Sequence, residues 1–185
     1  VGVFGVAGPI ISMRQQGILR LMRTTPVTRL TFVLAQVPAR LILGMGITIC
    51  ALVASWVVWD VTLPQMAAAF GTAMLGFWML AAFGYLVGGT LNSAEASFAV
   101  GSPVLTFGAI GGAVLFPLVG MPGWVQVLPP FIPLTYLADA LRQQLGVGGP
   151  ALFPLWLDLV VVLAITVAVT ILAVRLFRWD LAEQP

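Results

Sequence analysis

Four long apolar stretches set the limits on what this chain can fold into. They run over residues 33–59, 65–91, 98–120 and 154–177, and their only ionisable side chains of fixed charge are Arg40, Asp158 and Arg175. At ~1.5 Å of rise per residue the first stretch spans about 40 Å as a helix, enough to cross an apolar core of about 30 Å with some tilt. In lipid a segment must satisfy its own backbone polar groups, and a helix does so without a partner. The charged fraction is 8%, where a soluble domain carries about 25%. With a hydrophobic fraction of 61% and mean hydropathy of +1.09, the chain reads as an all-α integral membrane protein with four complete transmembrane helices. Residues 1–185 form a single transmembrane domain.

The connections between these spans differ in length. Residues 1–12, "VGVFGVAGPIIS", reach only about 18 Å as a helix. They lack the basic start of a signal peptide and read as the end of a span that begins before residue 1. Trp56 and Trp59 mark the far interface of the span 33–59, and Asp60, Thr62 and Pro64 make a short turn after it. The polar break "NSAEAS" separates the spans 65–91 and 98–120. Residues 121–150 are long for a simple connection. Pro129, Pro130 and Pro133, with Pro122 upstream, forbid a continuous helix there. The following "TYLADALRQQL" reads as a short helix, with Thr135 as its cap and Asp139 and Arg142 three residues apart as an intrahelical pair. Gly146, Gly148 and Gly149 stop it. Trp124 and Tyr136 are interfacial residues by type, so 121–150 is expected to be a re-entrant or interfacial hairpin and not a fifth crossing.

The eight basic residues are all Arg. Arg14, Arg20, Arg23 and Arg29 lie within "MRQQGILRLMRTTPVTR", with no acidic residue among them. Placing 13–31 in the cytoplasm brings Arg175 and Arg178 to the same side after four spans, lets Arg40 snorkel inward, and leaves Arg142 alone outside. The C-terminus is then cytoplasmic. At 100° per residue Ile18, Leu19, Leu21 and Met22 fall on one side of a helix, and Gln16, Arg20, Arg23 and Thr24 on the other. Pro26 ends the turn. Residues 13–30 are therefore expected to form an amphipathic helix along the inner membrane surface.

Several chemistries are excluded. With no His and no Lys, the chain has no Walker A lysine, no Schiff-base lysine, no HExxH zinc site and no His-based triad. No catalytic residue, metal site or cofactor is expected in this chain, and the arginine excess is explained by the membrane without nucleic acid. Cys50 stands alone and reads as a buried structural thiol. Gly84 and Gly88, and Gly108 and Gly112, repeat at the spacing that lets helix backbones approach closely.

Two motifs carry a family resemblance. In the first, Arg14, Gly17, Leu21, Thr25 and Pro26 match the pattern that follows the second span of ABC-2 type transporter permeases. In the second, Pro122, Pro129, Pro133, Leu134, Thr135, Tyr136, Ala140, Leu141 and Arg142 match the same family's outer segment. The chain resembles the drug-resistance branch, similar to daunorubicin-resistance permeases. The family often has acidic residues flanking its first Arg; Met13 and Gln15 stand there in this chain.

The resemblance implies six spans in all, the first and most of the second lying before residue 1. It implies that 13–30 is a coupling helix in which Arg14, Gln16, Gly17, Arg20, Leu21, Arg23, Thr25 and Pro26 meet an ATPase subunit, with Arg20 and Arg23 facing it. Two ATPase copies holding ATP and Mg²⁺, and a second permease copy or paralogue, are the implied partners. The implied setting is a cell membrane, and the implied cargo a drug, antibiotic or lipid moved outward; Arg without any Lys suits a G+C-rich, bacterial coding genome, which is a compositional reading. The residues by themselves also leave open a nucleotide-independent channel or secondary carrier, and a structural membrane subunit.

Overall fold

The computed structural model describes residues 3–18, 29–91, 93–111, 127–147 and 150–177. Among them are six α-helices: α1 (Val3–Gln15), α2 (Arg29–Trp59), α3 (Leu63–Thr90), α4 (Ala94–Gly111), α5 (Pro133–Leu145) and α6 (Leu155–Leu176). A 3₁₀ turn at Pro129–Phe131 precedes α5. Three stretches are long and apolar enough to cross a membrane: Pro38–Trp59, Leu63–Thr90 and Leu155–Leu176. The fourth expected span, 98–120, starts earlier, at Ala94, and is described only as far as Gly111.

Local chemistry sets the helix ends. Thr62 opens α3: its N–H and hydroxyl both donate to Gln65 Oε1, at 2.8 and 2.7 Å. This local pairing holds the first turn, whose amides lack helical partners. Ser93 opens α4, its Oγ accepting the Ala96 N–H at 3.0 Å as an N-cap does. Helix α1 runs on through Arg14 to Gln15 and stops at Gly17, which adopts a left-handed conformation with φ +75°. Arg14 thus belongs to α1 and does not start a separate surface helix.

The chain groups into two compact units. The first contains residues 1–42, 77–102 and 166–185. Its core is built from Val6, Ile10, Ala81, Tyr85, Ala173 and Phe177. Here α1 lies directly on the backbone of α3. A Cβ on Gly84 would come within 2.8 Å of Val6 Cβ, and one on Gly88 within 2.7 Å of Ala7 Cα. Val3 and Val6 meet Gly84, and Ala7 meets Gly88, so the two helices run in the same direction. Phe4 stacks on Phe98 of α4 with ring centroids 4.5 Å apart, over the space left by Gly101.

The second unit contains residues 43–76 and 103–165, and α5 sits inside it. Leu137 fills the place of a side chain at Gly76, and Gly146 rests against the Gln65 side chain. Gln65 and Gly76 are about 16 Å apart along α3 at ~1.5 Å per residue, roughly half of a ~30 Å apolar core. Helix α5 therefore packs along the first half of α3, which suits a re-entrant hairpin. Its N-terminus differs from expectation. Ile132 is the N-cap residue and Pro133 opens the helix, a position where its missing N–H costs nothing. Thr135 lies inside the first turn, fully buried, with no hydrogen-bond partner for its hydroxyl among the described residues. Gly146, with φ +67°, closes the helix as expected.

Cys50 is exposed on α2 and not buried. Much of that half of α2 is uncovered too, including Ile47, Ile49, Val53, Trp56, Val57 and Val58. An apolar helix can leave such a face open where its surroundings are lipid and not water.

Candidate functional site

Two polar clusters interrupt the apolar packing, one in each unit. In the first unit the cluster centres on Arg14, which is 5% exposed. Its Nη1 donates to Leu91 O at 2.7 Å and its Nη2 to Gly89 O at 2.9 Å. These carbonyls belong to the C-terminal end of α3, where helical acceptors run out of intrahelical donors. The guanidinium thus supplies a cap and places positive charge at the negative end of a helix dipole. Two residues on, Gln16 is exposed and bonds back to Ser12 Oγ at 3.1 Å, and Gly17 breaks the helix. Arg40 of α2 turns to the same part of α3. It is half-buried, and its guanidinium is the electrostatic neighbour of the buried Tyr85 hydroxyl. That hydroxyl makes no hydrogen bond of normal geometry among the described residues. Arg20, Leu21, Arg23, Thr25 and Pro26 lie outside the described residues.

In the second unit the cluster ties α5 to the start of α6. Asp139, 2% exposed, accepts three bonds at Oδ2: from Leu152 N at 2.9 Å, Phe153 N at 3.0 Å and Gln143 Nε2 at 3.1 Å. The same Gln143 nitrogen reaches Asp158 Oδ2 at 2.9 Å and Phe153 O at 3.0 Å. Asp139 therefore holds the loop before α6, a role its expected pairing with Arg142 did not include. Gln143 is the polar partner of Asp158, whose Oδ1 is buried without a hydrogen bond among the described residues. Tyr136 donates its hydroxyl to Pro130 O at 2.8 Å and stacks on Phe153, with centroids 5.0 Å apart. Pro129 is buried in the 3₁₀ turn. Pro122 lies outside the described residues.

Of the paired glycines, Gly84 and Gly88 are close-approach sites. At Gly108 a Cβ would find Leu134 at an ordinary 3.6 Å, so this glycine faces the first turn of α5. Gly112 is outside the described residues. Sequence reasoning missed Gly76, Gln143 and the Leu152–Phe153 amides. Gln143, four residues after Asp139, carried a usable signal, since the two share a helix face.

Also in the second unit, Gly71, Thr72 and Leu75 of α3 and Leu159, Val160 and Leu163 of α6 line a cavity of about 270 Å³. Thr72 supplies the one polar side chain in its wall. No group of three or more His, Cys, Asp or Glu suited to a metal occurs among the described residues.

Comparison with curated protein sequences gives no significant match. Comparison with family profiles matches residues 1–175 to the family described as ABC-2 family transporter protein. With apolar helices long enough to span a bilayer and almost the whole length covered by that profile, the chain belongs to the ABC-2 transporter family and is a multi-pass membrane permease component of an ABC transporter.

Proposed function

We propose that this permease exports a hydrophobic or amphiphilic small molecule (a drug, an antibiotic or a lipid) from a bacterial cell, driven by ATP hydrolysis in a separate subunit. Two ATPase subunits holding ATP and Mg²⁺ close beneath the membrane. Beyond α1, which takes in Arg14 and Gln15, the rest of the segment 13–30 is the docking element, with Arg20 and Arg23 toward the ATPase. A second permease copy or a paralogue completes the pathway. Residues 13–31 and the C-terminus are cytoplasmic, and the re-entrant α5 caps the exit on the outer side.

The observation that carries this reading is the family match over residues 1–175. The arginine distribution supports the orientation, since seven of the eight fall on one side when Arg142 is placed outside. The apolar walls of the cavity beside Thr72 suit a cargo with little charge. With no Lys and no His in the chain, the hydrolytic machinery belongs to the partner.

Charge reversal at the docking face tests the proposal. The Arg20→Glu/Arg23→Glu double variant should insert normally and lose ATP-driven transport of a fluorescent lipid analogue in proteoliposomes that contain the ATPase. Undiminished transport at equal expression would remove the docking role. Transport by the wild type without nucleotide would point instead to a passive carrier.

A further inference from the structure

We propose that the last two turns of α3 receive the ATPase stroke, and that Arg14 is the positioning residue that fastens the start of the coupling segment to them. This rests on the export reading above. Arg14, at the end of α1, bonds to the carbonyls of Gly89 and Leu91.

The chemistry of the Arg14 contact suits a joint. A guanidinium is a rigid fork that bridges two acceptors at once, whereas an ammonium is a single point of charge. The two acceptors are carbonyls at the end of a 28-residue helix, where the helix dipole favours a cation. At 5% exposure the contact is largely shielded from competing water, which strengthens it. Immediately beyond, Gly17 takes a left-handed conformation and ends the rigid part of α1. Displacement of the chain beyond Gly17 is thus passed to α3 at Arg14, not absorbed along α1. From Thr90 to Leu63 helix α3 is unbroken, and α5 rests on its other half at Gly76.

The test uses the intact permease with its ATPase subunits in nanodiscs, with Cys50→Ser and Phe131→Cys introduced as background. Phe131 is 80% exposed on the turn before α5, so a thiol there reports on the hairpin. Arg14→Gln and Arg14→Lys are compared with Gln15→Ala, an exposed neighbour. Four quantities are measured: co-purification of the ATPase, ATP hydrolysis, deuterium uptake at amides 91–97 without nucleotide, and the change in maleimide reactivity at position 131 on adding ATP and vanadate.

The expected result for both Arg14 variants is retained ATPase binding and hydrolysis, faster deuterium uptake at 91–97, and loss of the nucleotide response at position 131. Lys should rescue no better than Gln. Gln15→Ala should leave that response intact. A preserved nucleotide response in Arg14→Gln would overturn the joint. So would loss of ATPase binding, which would make Arg14 a docking residue, or unchanged uptake at 91–97, which would remove the clamp. A wild type that binds no ATPase would overturn the export reading and this inference with it; a coupled wild type with an indifferent Arg14→Gln overturns this inference alone.

Discussion

Replacing Asp139 by Ala should loosen the loop before α6 while leaving the spans in place. The carboxylate collects two backbone amides, Leu152 and Phe153, and the Gln143 side chain on one oxygen. Hydrogen bonds to a charged group contribute about 1.5–3 kcal/mol each. Leu152 is 39% exposed, so water can take over part of what the carboxylate provides, and the lower end of that range applies. Because about 1.4 kcal/mol corresponds to a factor of ten, exchange of these two amides should accelerate about tenfold or more. Deuterium uptake of a peptide covering 146–154, measured by mass spectrometry on the permease in nanodiscs, reads this directly. Asp158→Asn serves as the comparison, because its side chain does not touch either amide and an amide oxygen can still accept from Gln143. Uptake in Asp139→Ala equal to wild type would refute the assignment of Asp139 as the anchor of this loop. Equal acceleration in Asp158→Asn would show that the two carboxylates act as one unit instead.

The packing sets other expected outcomes. Gly88→Leu places a side chain against the α1 backbone and should destabilise the permease by about 1–3 kcal/mol, seen as a lower melting temperature in detergent, whereas Gly108→Ala should be tolerated because its new methyl group meets Leu134 at 3.6 Å. Equal losses in the two variants would contradict the assignment of Gly88 as the closer approach. Tyr136→Phe removes one bond to Pro130 O and should cost about 1 kcal/mol, measured in the same way; no loss would mean that the hydroxyl is satisfied equally well by water. In intact cells, a Phe131→Cys thiol in a Cys50→Ser background should react with an impermeant maleimide added outside. Labelling only after the inner face is opened would reverse the orientation.

Three of the four expected spans were readable because the bilayer dictates their length and composition, and both are properties of contiguous sequence. Their ends were less so. Helix α2 begins at Arg29 and α3 at Leu63, each before its apolar run, since a helix does not stop where hydrophobicity does. The outer segment was legible as a break from its three prolines. Where it packs was not, because that is fixed by Leu137 meeting Gly76, a contact between residues 61 positions apart. Arg14 shows the same limit most clearly. Its charge and its neighbours pointed to an exposed docking residue, but its acceptors are backbone carbonyls 75 and 77 residues away. Backbone acceptors leave no mark in a sequence, since every residue has one. Gln143 went unremarked for a related reason: a neutral amide joins two carboxylates without contributing to the charge pattern that draws attention to them.

The contact between α1 and α3 has a geometric property of its own. Its notches on α3, Gly84 and Gly88, are one turn apart, and Val3 and Ala7 occupy them from the facing helix. Slipping α1 along by about 6 Å would bring Ala7 onto Gly84, smooth backbone against smooth backbone once more. Val6 and Ile10, packed with Ala81 and Tyr85, resist such a slip. The guanidinium of Arg14 pins the same register from the end of the seam, through its two bonds to Gly89 O and Leu91 O.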